Sequence, residues 1–505
     1  MRKFLSIVLS AIMLCSMSAG FSVMAGATEE SSVNSEDTVK TSGNYEYRLL
    51  DDGTAEITKY IGNETNITIP SSIDGYKVTS LGYASFQTSN PVSVTIPDTV
   101  TTIGYIAFKY CTNLIDIKLP DSITTILDDA FEGTGYLSDE SNWEDGMLYI
   151  GNYLVEVNPN ISGDCKIKEG TIMISASIPK IYDIYIPDIK EAVYDIKDVN
   201  SLTSITIPSS VKYIAEDSFI LCSEVGKINV ENNKYYHLVD GVLFETNSNT
   251  LIKYPSLTYN SSYTIPNGTT SIGDYAFIYS DVLTSIDIPN SVKSIGKDAF
   301  SWCEGLTSIA IPESVTSIDN GAFSSCINLV DVNIPKSVTS ISDYTFSDCY
   351  SLKSITIPEN VTSIGNLAFR GCNSLKNITI PENVTSIGQR AFSSCYFLTD
   401  ITIPKNVTSV GEDAFNLCEN LKKVTVMNPE CDVDLFHETR DIADTRLYIK
   451  MYRFENSTGE KYIEYYGVKI MPLIIISIIV VVAVVIIVLL LVIKKRNNKK
   501  LNKNQ

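Results

Sequence analysis

The feature that most constrains this chain is a motif that recurs every 23 residues through its second half. The shared pattern is L-x-x-I-x-I-P-x-x-V-x-x-I-G-x-x-A-F-x-x-C-x-x. One unit is too short to bury its own apolar residues, so a fixed period of this length predicts a solenoid of stacked units. The interval holds for three residue types: Pro266, Pro289, Pro312, Pro335, Pro358, Pro381 and Pro404; Phe277, Phe300, Phe323, Phe346, Phe369, Phe392 and Phe415; Cys303, Cys326, Cys349, Cys372, Cys395 and Cys418.

The motif also predicts the local structure of one unit. Isoleucine alternates with Ser, Thr or Asp in SIAI and SITI, which is the period of a half-buried strand. Proline ends that strand because it has no N–H for the ladder. V-x-x-I predicts a second extended segment, Gly in I-G permits a turn, and A-F-x-x-C predicts one turn with Phe and Cys inward. The expected fold is mainly β, a right-handed solenoid whose like residues stack about 4.8 Å apart.

The consensus sequence of the repeat resembles that of a known family. LTSITIPSSV, IGDYAF and AFSSC are similar to the BspA-type (Treponema pallidum-like) bacterial leucine-rich repeat, over about Tyr45 to Val468. The resemblance implies a leucine-rich repeat solenoid on a bacterial surface protein, with hairpin units between repeats. It also implies that the concave strand face is a common binding surface.

Both termini carry sequence signals for export or membrane insertion. Residues 1–27 combine Arg2 and Lys3 with an apolar run and an A-x-A site, which predicts a secretory signal peptide. Residues 470–493 carry no charge and are long enough to span a bilayer as one helix. Six cations follow in residues 494–505, so the positive-inside rule predicts a cytoplasmic tail and extracellular repeats.

The charge of the chain excludes some partners. Without the two cations of the signal peptide and the six of the tail, the net charge changes from −20 to −28. Nucleic acids and anionic lipid surfaces require a basic footprint, so neither is an expected partner. The simplest role of this charge is to keep a long polar surface soluble.

The repeat pattern divides the chain into segments. Residues 28–43 are acidic and Ser-rich and predict a disordered leader, and residues 45–60 predict a hairpin with an Asp-Gly turn. Residues 457–467 suggest a capping box, a short helix and a glycine C-cap. The expected segments are 1–27 signal peptide, 28–43 leader, 44–136 N-terminal cap and first repeats, 137–201 irregular insert, 202–262 repeat plus hairpin insert, 263–428 regular repeats, 429–469 C-terminal cap, 470–493 membrane helix and 494–505 tail.

The cysteines allow three interpretations. Stacked thiols point in parallel, whereas a disulfide needs side chains aimed at each other. A tetrahedral zinc site needs four ligands that converge on a point, whereas a column spreads them along a line. Buried thiols that act as small apolar core residues are therefore favoured over disulfides and over a metal site. Cys165 and Cys431 fall outside the column and indicate nothing individually.

Catalytic signals are missing from the sequence. His237 and His437 lie in irregular stretches without a nucleophile motif, and G-x-S-x-G, H-E-x-x-H and phosphate-binding glycine loops do not occur. A glycosidase would need two carboxylates across a cleft, which one sequence cannot reveal. The expectation is a protein that is not an enzyme and that needs no cofactor or metal.

The candidate ligand surface has two parts. Outward positions of the L-x-x-I-x-I strands form a polar face, although most such residues are ordinary solvated strand positions. Aromatic residues in the inserts are candidates for specificity because exposed rings make good anchors, and the alternative is that they seal a bent core. The candidates are Trp143, Tyr149, Tyr153, Tyr235, Tyr236, Asp287, Asn333, Lys353, Lys376 and Lys422.

These features favour adhesion as the function. The leading hypothesis is a single-pass cell-membrane protein that binds a host or neighbouring-cell surface protein, a matrix protein or a glycan. A structural spacer without a specific ligand and a glycan-capturing accessory module for nearby enzymes are the alternatives. The ligand, the organism and the oligomeric state do not follow from the sequence.

Overall fold

The chain folds as a β solenoid. The computed structural model describes residues 39–87, 89–158, 161–175, 201–220, 225–256, 260–428, 430–433, 446–453 and 462–469. Over these ranges it has about 15 turns and almost no helix, which confirms the predicted mainly-β solenoid. The helical segments found there are α1 (Gly135–Ser138) and a 3-10 turn (Glu140–Asn142).

The membrane segment is not among these residues. Within the described ranges, no helix has the length and apolar character required to cross a bilayer. The span predicted at 470–493, the basic tail and the signal peptide all lie outside them.

Most coils contribute one strand to each of two sheets, although the coils of Ile355 and Ile378 form no strand at the first position. We call the first the I-x-I sheet, because its strands carry the I-x-I sequence before proline. Alternating side chains in these strands point into and out of the solenoid. Its strands are β4 (Asn66–Thr68), β7 (Ser93–Thr95), β9 (Asp116–Lys118), β14 (Ser162–Lys166), β16 (Ser201–Ile207), β18 (Lys227–Val230), β22 (Ser262–Thr264), β24 (Ser285–Asp287), β26 (Ser308–Ile309), β28 (Asp331–Val332), β32 (Asp400–Ile403) and β34 (Lys423–Val426).

The second sheet comes from the V-x-x-I part of the motif, and we call it the S-I sheet. Its strands are two residues long in the regular coils, with Ser outside and Ile inside. Its members are β5 (Ser72–Ile73), β6 (Tyr76–Leu81), β8 (Thr102–Ile103), β10 (Thr125–Ile126), β15 (Met173–Ile174), β17 (Tyr213–Ile214), β23 (Ser271–Ile272), β25 (Ser294–Ile295), β27 (Ser317–Ile318), β29 (Ser340–Ile341), β30 (Ser363–Ile364), β31 (Ser386–Ile387), β33 (Ser409–Val410) and β35 (Asp432–Val433).

The pairing between coils follows the sequence period. Strands of successive coils pair in parallel, and Ser363 lies opposite Ser386 while Ile364 lies opposite Ile387. Each partner is 23 residues from its equivalent. The repeat length therefore sets the register, and every template position forms its own column.

Phenylalanine forms the central column. From Phe277 to Phe415 each ring stacks on the next, with centroids 5.0 to 5.6 Å apart and planes within 13° of parallel. The Phe346 side chain is fully buried between Phe323 and Phe369. Such pairs stabilise a core by about 0.5–1.5 kcal/mol beyond the burial of their area.

The cysteine column joins one coil to the next by hydrogen bonds. The Cys326 thiol donates to the Phe300 carbonyl oxygen at 3.0 Å, and Cys349 makes the same bond to Phe323 at 3.2 Å. The bond recurs along the ladder from Cys303 to Cys418, always to the phenylalanine of the preceding coil. The predicted buried thiols are confirmed, and each also satisfies a backbone acceptor that the turn leaves inside.

The glycine of I-G has a different role from the one predicted. A Cβ on Gly388 would lie 2.5 Å from the Asn366 backbone nitrogen, so glycine is required there by the close approach of the preceding coil. The left-handed turn positions lie elsewhere, just before A-F and just before Cys. Non-glycine residues occupy many of them, including Arg390 (φ 53°) and Ser394 (φ 60°).

Antiparallel hairpins begin three sections of the solenoid. The turns Asp145-Gly146 and Asp240-Gly241 have positive φ at both residues, which is the conformation of a tight two-residue hairpin turn. In each section the last hairpin strand pairs in parallel with the S-I sheet. The strands are β1 (Lys40–Ser42), β2 (Tyr45–Leu49) and β3 (Ala55–Tyr60); β11 (Trp143–Glu144), β12 (Met147–Ile150) and β13 (Tyr153–Val157); β19 (Tyr236–Val239), β20 (Val242–Glu245) and β21 (Thr250–Lys253).

The two internal hairpins separate three apolar clusters. Side chains alternate across β20, so Leu243 packs into the middle cluster while Val242 and Phe244 pack into the C-terminal one. In the same way, Leu154 packs into the middle cluster and Tyr153 into the N-terminal one. Each internal hairpin therefore lies between two apolar clusters and buries one face in each. We call these two hairpins the hairpin walls.

Two predictions about the ends are wrong. Lys40–Ser42, placed in a disordered leader, forms β1 and pairs with β2; the rest of that leader, apart from Val39 and Gly43, lies outside the described residues. The C-terminal cap, expected to contain a helix, is a hairpin of β36 (Arg446–Arg453) and β37 (Tyr462–Lys469). β37 pairs antiparallel with β34 and covers the last edge of the I-x-I sheet, because backbone pairing satisfies that open edge along its length.

The phenylalanine column yields a test of the core. We expect Phe346→Ala to lower the free energy of unfolding by about 3–5 kcal/mol, because it leaves a cavity between two stacked rings. Guanidinium denaturation followed by circular dichroism measures the change. Phe397→Ala is the matched control, because that ring is 47% exposed, and it should change stability by about 0.5 kcal/mol or less. Equal losses in both variants would contradict the column as the source of stability.

Candidate functional site

Outward side chains at the I-x-I positions of successive coils form the predicted binding face, which we call the I-x-I face. Pairing places Thr264 beside Asp287 and Asp287 beside Ala310, so equivalent side chains line up along the solenoid. Asp287 is exposed, and its Oδ2 accepts a hydrogen bond from the Thr264 hydroxyl at 3.1 Å. Equivalent outward side chains therefore form a line along the solenoid, mostly polar, with Ala310 as an apolar exception.

Asn333, another candidate on this face, is engaged with the preceding coil. Its Oδ1 accepts a hydrogen bond from the Ile311 backbone N–H at 2.9 Å. Its Nδ2 donates to the Ile311 carbonyl at 2.7 Å. The amide thus completes the ladder between two coils, which explains an Asn at this position without a ligand.

The three candidate lysines are exposed. Lys353 and Lys376 occupy the same template position one coil apart. The Thr399 backbone N–H donates to the Lys376 carbonyl, and that of Lys422 donates to the Thr399 carbonyl, so Lys422 lies two coils beyond Lys376. We call these three residues the lysine line. They create a positive strip on a chain whose net charge is −20.

Three of the candidate insert aromatics belong to the core. Tyr153 is fully buried and donates a hydrogen bond to the Pro120 carbonyl at 2.5 Å. Tyr149 is 7% exposed and its hydroxyl accepts from the Lys168 backbone N–H, while Tyr236 is 4% exposed. These three rings pack inside the hairpin walls, so the prediction that they are exposed anchors for a ligand is wrong.

The other two insert aromatics are half-buried. The Trp143 indole N–H donates to the Leu137 carbonyl at 3.0 Å, which fixes its orientation. The Lys234 ammonium lies 4.7 Å from the centre of the Tyr235 ring. Part of each ring therefore faces solvent, and a ligand role for these two residues stays a prediction.

At the first coils, the structure contains a cavity that was not predicted from the sequence. Val39, Tyr83, Tyr105 and Leu127 are 54%, 65%, 42% and 47% exposed, and all four line one cavity of about 460 Å³. The Tyr83 and Tyr105 rings are nearly parallel, with centroids 6.0 Å apart. We call this cavity the N-terminal cleft.

Polar groups line the floor of the N-terminal cleft. The Arg48 Nε donates to Glu56 Oε1 at 2.8 Å, and the Ser80 hydroxyl donates to Glu56 Oε2 at 2.9 Å. The Thr58 hydroxyl is buried and has no hydrogen-bond partner among the described residues. A Cβ on Gly82 would lie 2.8 Å from Glu56 Oε1, so glycine keeps that space open.

One sequence signal could have revealed the cleft. Tyr83 and Tyr105 follow the glycine of the template, where the seven regular coils carry Asp274, Lys297, Asn320, Asp343, Asn366, Gln389 and Glu412. A change from polar to aromatic at one repeat position marks the first coils as different. Only the folded hairpin shows that Arg48, Glu56 and Thr58 lie beside those rings.

Groups with catalytic or metal-binding potential are dispersed. His237 packs on Phe244, with its Nδ1 3.1 Å from the Thr246 hydroxyl, and His437 lies outside the described residues. Across the described ranges, no three His, Cys, Asp or Glu side chains form a group able to hold a metal ion.

The carboxyl group of Asp274, which follows the S-I strand Ser271–Ile272, has a raised pKa. Burial raises the pKa of this carboxyl from 3.8 to about 6. A hydrogen bond from the Lys297 backbone N–H to Oδ1, at 2.8 Å, acts in the opposite direction. The nearby carboxylates of Glu216 and Asp319 raise the pKa further.

Comparison with protein-family models identifies the repeat. The model described as BspA type leucine-rich repeat region matches residues 55–177, 188–260, 253–366 and 339–461. These ranges include most of the chain. No curated protein sequence gives a significant match.

Several solved structures are similar to this chain. A leucine-rich repeat protein from Eubacterium ventriosum is 23% identical, with a TM-score of 0.44, and the match covers 75% of this chain and 94% of that one. A leucine-rich cell surface protein from Faecalibacterium prausnitzii is 28% identical, with a TM-score of 0.35 and coverage of 73% and 95%. A leucine-rich repeat protein from Bacteroides ovatus is 22% identical, with a TM-score of 0.35 and coverage of 79% and 89%.

Asp274 yields a test by pH. Its folded pKa lies above the unfolded value, so the native state binds the extra proton and stability decreases as pH rises from about 4 to about 6. Asp274→Asn keeps an oxygen acceptor for the Lys297 N–H and removes the titration. We expect the variant to lose less stability than the parent over this range, measured by chemical denaturation at several pH values. Parallel profiles would contradict the assignment.

The thiol column yields a test by chemical labelling. Burial raises the pKa of the Cys303, Cys326 and Cys349 thiols well above the ordinary value, and reactivity requires an accessible thiolate. We expect iodoacetamide to leave them unmodified in native protein at pH 8 and to modify them in urea, as read by peptide mass spectrometry. Thr356→Cys, at an exposed position of the I-x-I face, is the positive control and should react in the native state. Disulfide-linked ladder peptides in an unreduced digest would contradict the buried-thiol assignment.

Proposed function

This chain belongs to the BspA-type leucine-rich repeat family, and we propose that it is a membrane-anchored bacterial surface protein whose solenoid binds an external partner. The partner is a surface protein of a host or neighbouring cell, a matrix protein or a glycan. The observation that carries the proposal is the I-x-I face, which presents an exposed polar side chain at the position of Asp287 in most of the regular coils.

The geometry of the face supports binding. Each coil is held to the next by strand pairing and stacked phenylalanines, so outward side chains are presented on a rigid support. A rigid surface loses little conformational entropy when it binds. The lysine line adds a positive strip to an acidic chain, which favours a partner with carboxylate or sulfate groups at that point.

The sequence supports the proposed location. The signal peptide at 1–27 directs export, and the uncharged segment at 470–493 is long enough to anchor the protein. The cations of residues 494–505 favour a cytoplasmic tail and extracellular repeats. The acidic net charge disfavours nucleic acid as the partner.

A binding role fits the chemistry of the fold better than catalysis. Solenoid repeats provide extended surfaces, whereas a nucleophile and a base must meet in a protected site. The described histidine, His237, lies beside a threonine and a phenylalanine in a hairpin. We therefore place the function in recognition.

Deletion of two coils tests the proposal. Removal of residues 330–375 takes out two whole periods and rejoins the template in register. If the regular coils bind the partner, the extracellular part should bind cells, matrix proteins or an arrayed glycan panel at least tenfold more weakly after the deletion. Surface plasmon resonance against the strongest array hit measures the loss.

The controls separate a binder from a spacer. Lys353→Ala with Lys376→Ala keeps the number of coils and removes two charges, so it should weaken binding to an anionic partner. A spacer should retain function after the deletion, with its reach shorter by about 4.8 Å for each coil. Failure of the intact extracellular part to bind anything on the arrays would refute the proposed function.

A further inference from the structure

We propose that the N-terminal cleft binds one neutral pyranose ring of a saccharide, at a site separate from the I-x-I face. The cleft is lined by S-I strands and by the first hairpin, with Tyr83 and Tyr105 on its rim and Arg48, Glu56 and Thr58 on its floor. Its volume of about 460 Å³ is within the usual ~300–1,000 Å³ of small-ligand sites.

The rim provides the apolar half of the recognition. The faces of a pyranose ring carry C–H groups, whose hydrogens are attracted to the negative face of an aromatic ring. Tyr83 and Tyr105 lie nearly parallel and are 65% and 42% exposed, so ring surface is open to a ligand. Val39 and Leu127 extend the apolar rim.

The floor provides the polar half. The Glu56 carboxylate accepts hydrogen bonds from sugar hydroxyls strongly because it is charged, and Arg48 and Ser80 already orient it. Ser80 and Thr102 also line the cavity and add hydroxyl groups to its polar part. The Thr58 hydroxyl is buried beneath this surface, so it shapes the floor and does not contact a ligand directly.

The distribution of residues argues against a chance cluster. The tyrosines occupy a template position that is charged or amide-bearing in all seven regular coils. Leu127 stands at the template glycine, a position that two regular coils fill with Asp319 and Ser342. Tyr83, Tyr105 and Leu127 all come from the first coils and line one cavity. The solenoid core does not require these side chains, because they are 42% to 65% exposed.

The charge of the site selects the class of ligand. The Arg48 guanidinium compensates the Glu56 carboxylate within a hydrogen bond of 2.8 Å. The floor therefore presents donors and acceptors without a strong net charge. A neutral hydroxylated ring matches this floor, whereas a carboxylate-bearing sugar or a charged peptide would lose hydration without an unpaired opposite charge.

Saturation-transfer NMR and calorimetry on the extracellular part test the site. The probes are neutral methyl hexosides, N-acetylglucosamine, cellobiose and maltose, with glucuronic acid, N-acetylneuraminic acid and a tyrosine-rich peptide as competitors. We expect at least one neutral sugar to bind, and we expect Tyr83→Ala to weaken its binding by about tenfold or more. Tyr350→Ala, a 45% exposed tyrosine in the regular coils, is the matched control and should bind like the parent.

Each outcome decides the question. Leu127→Lys, which fills the rim at a 47% exposed position, provides a second block if Tyr83→Ala changes the melting temperature. Absence of neutral-sugar binding, preference for the charged competitors or the peptide, or full binding by both cleft variants would overturn the inference. The inference deepens the proposed binding function. It fails alone if no neutral sugar binds the cleft while the parent still binds its array partner and loses that binding on deletion of residues 330–375.

Discussion

The fold depends on the stacking of successive coils. A phenylalanine carbonyl in one coil accepts a hydrogen bond from the cysteine thiol of the next, while the two phenylalanine rings stack. Equal coil length repeats both contacts without adjustment, and the interval is 23 residues throughout the seven regular coils. The first coils take up a difference in length, because Phe86 and Phe108 are 22 residues apart and still stack with centroids 4.8 Å apart. A turn can therefore absorb a change of one residue, whereas the same change within a strand would turn its inward side chains outward.

The regular coils were predictable because one template specifies them repeatedly. Period-two isoleucines gave the strands, and the Asp-Gly turns gave the hairpins. The C-terminal cap was mistaken for a helix because its local capping signals are weaker than the open edge of β34, which β37 pairs with and covers. The role of the template glycine was also missed, because close approach to another coil depends on tertiary packing that no local signal shows.

In the candidate sites, too, features set by the local repeat could be predicted, whereas features set by tertiary packing could not. Thr, Asp and Lys on the I-x-I face follow from alternation along a strand, so their exposure could be predicted. The aromatics of the inserts could not be placed, because a hairpin between two cores buries both of its faces; Tyr153 and Tyr149 pack into different clusters. The N-terminal cleft brings a hairpin next to two later coils, and its distinctive chemistry occurs where the template is broken.

The hairpin walls have a mechanical consequence if the protein is held, as proposed, at one end by a membrane and at the other by a partner. Bonds between coils run along the solenoid, so tension separates coils one after another and does not shear a whole sheet at once. Each released coil of 23 residues lengthens the tether by about 80 Å when fully extended. A wall that belongs to two cores stops this peeling, because both cores must yield before it opens. Under load, such a protein would unfold one section at a time, and the section beyond the hairpin would stay folded.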